Sequence, residues 1–171
     1  PNIMAGSGGS PLMSAARAGA TEAVRVLLEA GAQVDALGNP SEAFIAEIQG
    51  LQAQSEEGLS EHEAESRRQR LEAYFEEGST ALMYAAALGH HDVVALLVQA
   101  GADARLKDKD GQSALVHAAN SGSVQSVQLL LEQASADPND KTVHGLPLLV
   151  HAIASGQEQL ADLLVQPGAA A

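Results

Sequence analysis

The chain has 171 residues, enough for one domain with a continuous core, and its 46% hydrophobic but only 2% aromatic composition favours a core of Ala, Leu and Val. The net charge of −13 argues against nucleic acid or an anionic membrane as partner and leaves basic proteins as plausible partners. The sequence contains no cysteine, which excludes disulfides and Cys-based zinc sites, and no apolar run approaches the roughly 18 residues of a membrane span.

The first predicted elements are two short helices near residues 11–18 and 21–29, within GGSPLMSAARAGATEAVRVLLEAGAQVDA. The chain opens PNIMAGSGGS, which is neither a signal peptide nor a transit peptide. An intracellular location is therefore favoured over secretion, although the sequence does not name the compartment.

Residues 38–77 are predicted to form a helical hairpin with apolar roots and a solvated tip. Asn39-Pro40-Ser41-Glu42 and Ser60-Glu61-His62-Glu63 are two helix-start signals. The segment carries 10 of the 22 acidic and 3 of the 9 basic residues. It also holds three of the four aromatic residues, which either pack the hairpin onto the next helices or stay open for a partner: Phe44, Tyr74 and Phe75.

The stretch 79–104, STALMYAAALGHHDVVALLVQAGADA, indicates two short helices back to back. Thr80 offers a hydroxyl to cap the first helix, and Gly89 ends it. The second helix ends at Gly101 and carries an apolar stripe at helical spacing, formed by Val93, Val94, Leu96, Leu97 and Val98. Neither helix is long enough to be stable alone, so the pair needs a neighbour to pack on.

The same pattern recurs with a fixed period. Gly78 and Gly111 lie 33 residues apart, as do Gly89 and Gly122, and a last copy, GLPLLVHAIASGQEQLADLLVQPGA, is shifted by 34. A helix–turn–helix repeated at this period predicts a stacked solenoid. Gly19 and Gly89 are 70 residues apart, 37 more than the period, which places the predicted hairpin between the first and second units.

These units resemble the ankyrin repeat. SPLMSAARAG, TALMYAAALGHHDVVALLVQAGAD and SALVHAANSG are similar to the family pattern G-x-T-P-L-H-x-A-A-x-x-G-H…V-x-L-L-L-x-x-G-A-D. The resemblance covers about three quarters of the chain and implies an all-α ankyrin-repeat solenoid with short hairpin fingers. It places the repeats at about 8–37, 78–110, 111–144 and 145–169, with 38–77 as a helical insertion.

The departures from the pattern concern the starts of the first helices. The family's Thr-Pro is replaced by Ser10-Pro11, Thr80-Ala81, Ser113-Ala114 and Pro147-Leu148, and its His by Met13, Met83, Val116 and Val150. The side-chain hydrogen bonds of that motif are therefore expected to be weakened, most of all in the last unit.

The resemblance implies a binding face rather than an active site. Its candidates are residues that follow the first helix of a unit, residues of the fingers, and the aromatic residues of the insertion. In that order they are Arg17, Leu88, Asn120 and Ser121, then Lys107, Lys109 and His144, and then Phe44, Tyr74 and Phe75.

Other chemistry-bearing residues have structural explanations. His90-His91-Asp92 could suggest metal ligands, but G-H-x-D-V-V is ordinary ankyrin sequence at a helix start. A position shared by Tyr84, His117 and His151 is either a binding stripe or half-buried packing between helices. The glutamates of the insertion lie in its most polar stretch, where no pocket would raise a carboxyl pKa. The sequence therefore predicts no catalytic residue, metal site or cofactor.

The leading hypothesis is a non-enzymatic protein-interaction module, monomeric, that binds a protein with a basic surface through its concave face and the hairpin. Two alternatives stay open. One is an inhibitor, immunity or chaperone-like protein that covers a basic partner, which the acidic hairpin favours. The other is an architectural or targeting domain of a larger polypeptide.

Overall fold

The computed structural model describes residues 9–38 and 78–165, which form eight α-helices in four consecutive pairs. The pairs are α1 (Pro11–Arg17) with α2 (Thr21–Glu29), α3 (Ala81–Ala87) with α4 (His91–Gln99), α5 (Ala114–Asn120) with α6 (Val124–Gln133), and α7 (Leu148–Ala154) with α8 (Glu158–Val165). In these two ranges the extended pairing consists of two isolated antiparallel bridges, Lys107 with Ser113 and Lys141 with Pro147. The predicted all-α solenoid of stacked helix pairs is confirmed.

The first helices of units one and two start with reciprocal side-chain caps. The hydroxyl oxygen of Ser10 accepts a hydrogen bond from the Met13 N–H at 3.2 Å, and that of Thr80 accepts one from the Met83 N–H at 3.3 Å. Both methionine sulfurs accept from the cap residue's N–H at 3.4 Å, as a weak substitute for a polar acceptor. Pro147 makes no side-chain cap in unit four, so the expected weakening there is confirmed.

One apolar core runs through the four units. In α3 and α5 the helix faces toward the neighbouring unit are built from small residues, with Ala81, Ala85, Ala114 and Ala118 all at most 1% exposed. Because these side chains are short, the first helices of units one to three pack closely. Leu148 is the buried residue at this position in unit four, and α7 packs less closely on α5.

The second helices complete the core from the other side. Leu97 of α4 and Leu130 of α6 are fully buried, as their repeat position predicts. Leu164 of α8, the equivalent residue in unit four, is 8% exposed. Unit four is therefore the least tightly packed of the four along this line.

The turn after α1 contacts the second unit directly. Gly19 has a φ of +65°, and a Cβ there would lie 2.8 Å from the imidazole ring of His90. The Nε2 of that ring lies 3.2 Å from the carbonyl oxygen of Arg17. The turn therefore needs glycine for two reasons: the left-handed backbone and the space taken by the ring.

The insertion joins the array through an ordinary finger closure. The Gly38 N–H donates to the Ser79 carbonyl at 3.0 Å, and the Gly78 N–H donates to the Gly38 carbonyl at 2.9 Å. In the next finger, Asp108 donates to Gln112 and Gly111 donates to Asp108 in the same way, both at 3.0 Å.

Two fingers thus share one pair of hydrogen bonds, although three positions separate Asp108 from Gly111 and 40 separate Gly38 from Gly78. Units one and two pack on each other as units two and three do. The predicted hairpin itself, from residue 39 to 77, lies outside the described residues.

Candidate partner-binding face

The residues that follow each first helix form a row of exposed positions along the array. In units one to three, two buried alanines end the helix core, at 15 and 16, 85 and 86, and 118 and 119. The residues directly after each buried pair are exposed, among them Arg17, Leu88, Asn120 and Ser121. Leu88 is 53% exposed, which is unusual for a large apolar side chain on a well-packed scaffold.

Two members of this row also make contacts within the array. The Ser121 hydroxyl lies 3.0 Å from the carbonyl oxygen of Ala86 and 2.9 Å from that of Ala118, which links the third unit to the second. The Asn120 amide lies 3.5 Å from the side-chain oxygen of Gln112. Leu88 offers its apolar surface without any such polar contact to break.

A cross-unit ion pair connects the second and third fingers. Lys107 Nζ lies 2.6 Å from Asp140 Oδ1, with the lysine side chain 49% and the aspartate side chain 7% exposed. Lys107 therefore compensates a buried carboxylate, besides being a candidate for partner contact. Sequence reasoning did not identify Asp140, although its distance of 33 residues from Lys107, one repeat period, was a usable signal.

Asp108 organises the second finger from within. Its Oδ1 accepts from the N–H groups of Asp110 and Gln112, both at 2.9 Å, and its Oδ2 lies 2.8 Å from Nε2 of His117. His117 is half-buried between the finger and its own helix. Of the two explanations for the Tyr84, His117 and His151 position, the packing one describes His117.

A second acidic residue links the first two units. Asp35 Oδ1 accepts from the Asp103 N–H at 3.0 Å. Arg105 donates to the Asp103 carboxylate at 3.0 Å, and this hydrogen bond lowers the pKa of that carboxyl below its usual value. Asp103 and Arg105 line an open hollow of about 500 Å³, and they are its charged lining residues. Because they pair with each other, this hollow presents no uncompensated charge to a ligand.

The remaining sequence candidates fall into three places. Lys109 and His144 are exposed in the second and third fingers. His91 and Asp92 form an exposed contact of 3.2 Å, and the described ranges contain no group of three or more potential metal-ligating side chains. The aromatic candidates of the insertion lie outside the described residues, namely Phe44, Tyr74 and Phe75.

Models of known protein families match most of the chain. A model of three ankyrin repeats matches residues 82–171, and a single-repeat model matches residues 7–39. The chain belongs to the ankyrin-repeat family. Ankyrin repeats are non-catalytic protein–protein interaction modules, which agrees with the exposed row on a rigid scaffold. In the described part of this ankyrin array, no helix has the length and apolar character needed to cross a membrane.

Similar curated proteins share a short stretch with this ankyrin chain. A probable E3 ubiquitin-protein ligase of rice (Oryza sativa subsp. japonica), XBOS33, is 43% identical over 51 residues, 30% of this chain and 10% of the ligase. The E3 ubiquitin-protein ligase XBAT32 of Arabidopsis thaliana is 46% identical over 44 residues, 26% of this chain and 9% of the ligase. The matches thus span about a tenth of the length of these relatives.

Proposed function

We propose that this ankyrin array is a non-enzymatic, monomeric module that binds a protein with a basic surface through its concave face and the insertion 38–77. The observation that carries the proposal is the exposed row after the first helices. Arg17, Leu88 and Asn120 repeat once per unit, each beside buried alanines that fix the backbone. A row of this kind can follow an extended peptide or a helix of the partner along the stack.

The distribution of charge suggests how the two surfaces divide the contact. The second and third fingers contain the lysines Lys107, Lys109 and Lys141, whereas residues 38–77 contain ten acidic and three basic residues. A basic partner surface would be repelled by the fingers and attracted by the insertion. We therefore assign the basic part of the partner to the insertion and a neutral segment to the exposed row.

The decisive experiment removes the insertion without disturbing the closure at Gly38 and Gly78. Residues 41–76 are replaced by Gly-Asn-Gly, and partners are captured with both proteins and identified by mass spectrometry. We expect the shortened protein to keep its helical circular dichroism and cooperative unfolding, because the closing hydrogen bonds remain and loop closure depends only weakly on length. We expect partner binding to be lost.

Two further variants separate the surfaces. Tyr74→Ala with Phe75→Ala removes candidate aromatic anchors of the insertion, and Leu88→Asp alters the exposed row alone. Binding that survives the replacement of 41–76 unchanged but fails in Leu88→Asp would assign the contact to the array and reject a role for the insertion.

Two alternative functions have support. The acidity of the insertion favours an inhibitor, immunity or chaperone-like protein, which would block the activity of its basic partner on binding. The relatives favour a targeting or architectural domain, since the matched stretch is about a tenth of each ligase. An activity assay of the captured partner, with and without this chain, distinguishes the first alternative from the second.

A further inference from the structure

Two large apolar side chains of α7 are open to solvent at the end of the described stack. Val150 is 46% and Ile153 is 65% exposed. The residues at the same repeat positions in units one to three are at most 3% exposed, namely Met13 and Ala16, Met83 and Ala86, and Val116 and Ala119. In those units the next helix pair packs on the first helix. Unit four thus turns outward the surface that elsewhere joins one unit to the next.

Further apolar residues of unit four add to this end face, which we define as Val150, Ile153 and Val165. Val165, the last residue of α8, is 65% exposed. The equivalent residues of α4 and α6, Val98 and Leu131, are partly buried against the core. Both helices of unit four therefore contribute apolar area to the face.

We propose that the end face docks a helix pair of a partner protein, seated where a next unit of the stack would lie. Continuity with the unit–unit interface indicates the kind of element, because in three units the equivalent surface is covered by a helix pair. The proposal goes beyond the function above, since the exposed row and the insertion lie elsewhere on the array.

The side chains of the end face also limit what the partner helix can be. Ile153 stands where the first three units have alanine, so the facing helix must leave room for a larger side chain. Such room exists when the helix presents small residues four positions apart, as α5 does with Ala114 and Ala118. We therefore expect a first partner helix with two small apolar residues at this spacing.

A grafted helix pair can serve as the probe while the partner is unidentified. A copy of residues 100–133, which contain the second finger with α5 and α6, is joined after Gln166 in place of the last five residues. We expect the midpoint of thermal unfolding to rise by about 4 °C or more, the size of shift that one favourable interface gives in a chain of this length. Amide exchange in α7 should slow by about tenfold or more.

Matched substitutions make the result specific to the end face. Ile153→Asp is made in the original and in the extended protein, and Val26→Asp, at a site of 55% exposure on α2, serves as the control. We expect Ile153→Asp to remove most of the gain from the extension and Val26→Asp to leave it intact. An extension that raises neither the midpoint nor the protection of α7, or raises both equally in Ile153→Asp, overturns the proposal. A dimer of the unextended protein in light scattering that Ile153→Asp dissociates would also overturn it, since the occupant would then be a second copy.

Discussion

At the scale of single residues, the contacts between units are few and each depends on a particular side chain. His90 reaches back to the carbonyl of Arg17, and Lys107 reaches forward to Asp140. Both contacts connect residues that are distant in sequence but close to one period apart once the insertion is discounted. Single substitutions can therefore test the stacking of units without removing any helix.

The turn at Gly19 gives the first such test. Gly19→Ala and Gly31→Ala each place a Cβ on a backbone with positive φ, +65° and +80°, but nothing lies within 4 Å of the added atom at Gly31. We expect Gly31→Ala to cost about 1–2 kcal/mol and Gly19→Ala about 1 kcal/mol more, because the His90 ring must move. Chemical unfolding measures both. The excess should vanish in a His90→Ala background, and an excess that persists there would mean that the ring is not its cause.

The cross-finger ion pair gives the second test. Lys107→Met leaves the carboxylate of Asp140 buried without its compensating charge, so we expect a loss of about 1–2 kcal/mol, between the values for exposed and buried pairs. Lys141 occupies the same position in the next finger and is exposed, so Lys141→Met should change the free energy of unfolding by less than about 0.5 kcal/mol. Equal effects in urea unfolding would show that the ion pair contributes nothing specific.

At the scale of helices, glycine spacing and apolar periodicity predicted much of the array. Helices near 11–18 and 21–29 are observed at Pro11–Arg17 and Thr21–Glu29, a difference of one residue at a helix end. Burial of Leu97 also followed from its repeat position. Exposure of Leu88 and Asn120 followed from the family pattern, because both come directly after a buried helix face.

Contacts that depend on finger conformation could not be predicted in this way. The sequence places Lys107 and Asp140 in successive fingers, but their distance depends on the path of each finger and on side-chain rotamers. The same holds for Ser121, whose hydroxyl reaches the carbonyl of Ala86 in the preceding unit. The looser packing of α7 is a further example, since the sequence shows Leu148 in place of alanine but not how far the helices separate.

Equivalent leucines in two second helices should differ in their effect on stability. Leu97→Ala creates a cavity between units that pack on both sides, so we expect a loss of about 2–5 kcal/mol. Leu164, 8% exposed in the last described helix, has packing on fewer sides, and Leu164→Ala should cost less or increase exchange in α8 alone. Hydrogen exchange with urea unfolding measures both. Equal global losses would contradict nearest-neighbour stability in this array.

At the scale of the whole molecule, the charge of −13 should govern how the partner associates. We expect the association rate to fall as salt rises from low to physiological concentration, since exposed charges are screened beyond about 8–10 Å. Surface plasmon resonance at several salt concentrations measures this, with the protein lacking 41–76 as the control. Tight binding that is indifferent to salt would reject a basic partner surface.

The closure at Gly38 and Gly78 has a consequence for the covalent continuity of the chain. The first unit is held to the second by helix packing, by the bond from Asp103 to Asp35 and by the contact of His90 with Arg17, none of which involves residues 39–77. A backbone severed once between Gly38 and Gly78 would therefore leave two polypeptides that remain associated through these contacts. The array could then be assembled from two separately synthesised fragments, with the point of division placed anywhere within the insertion.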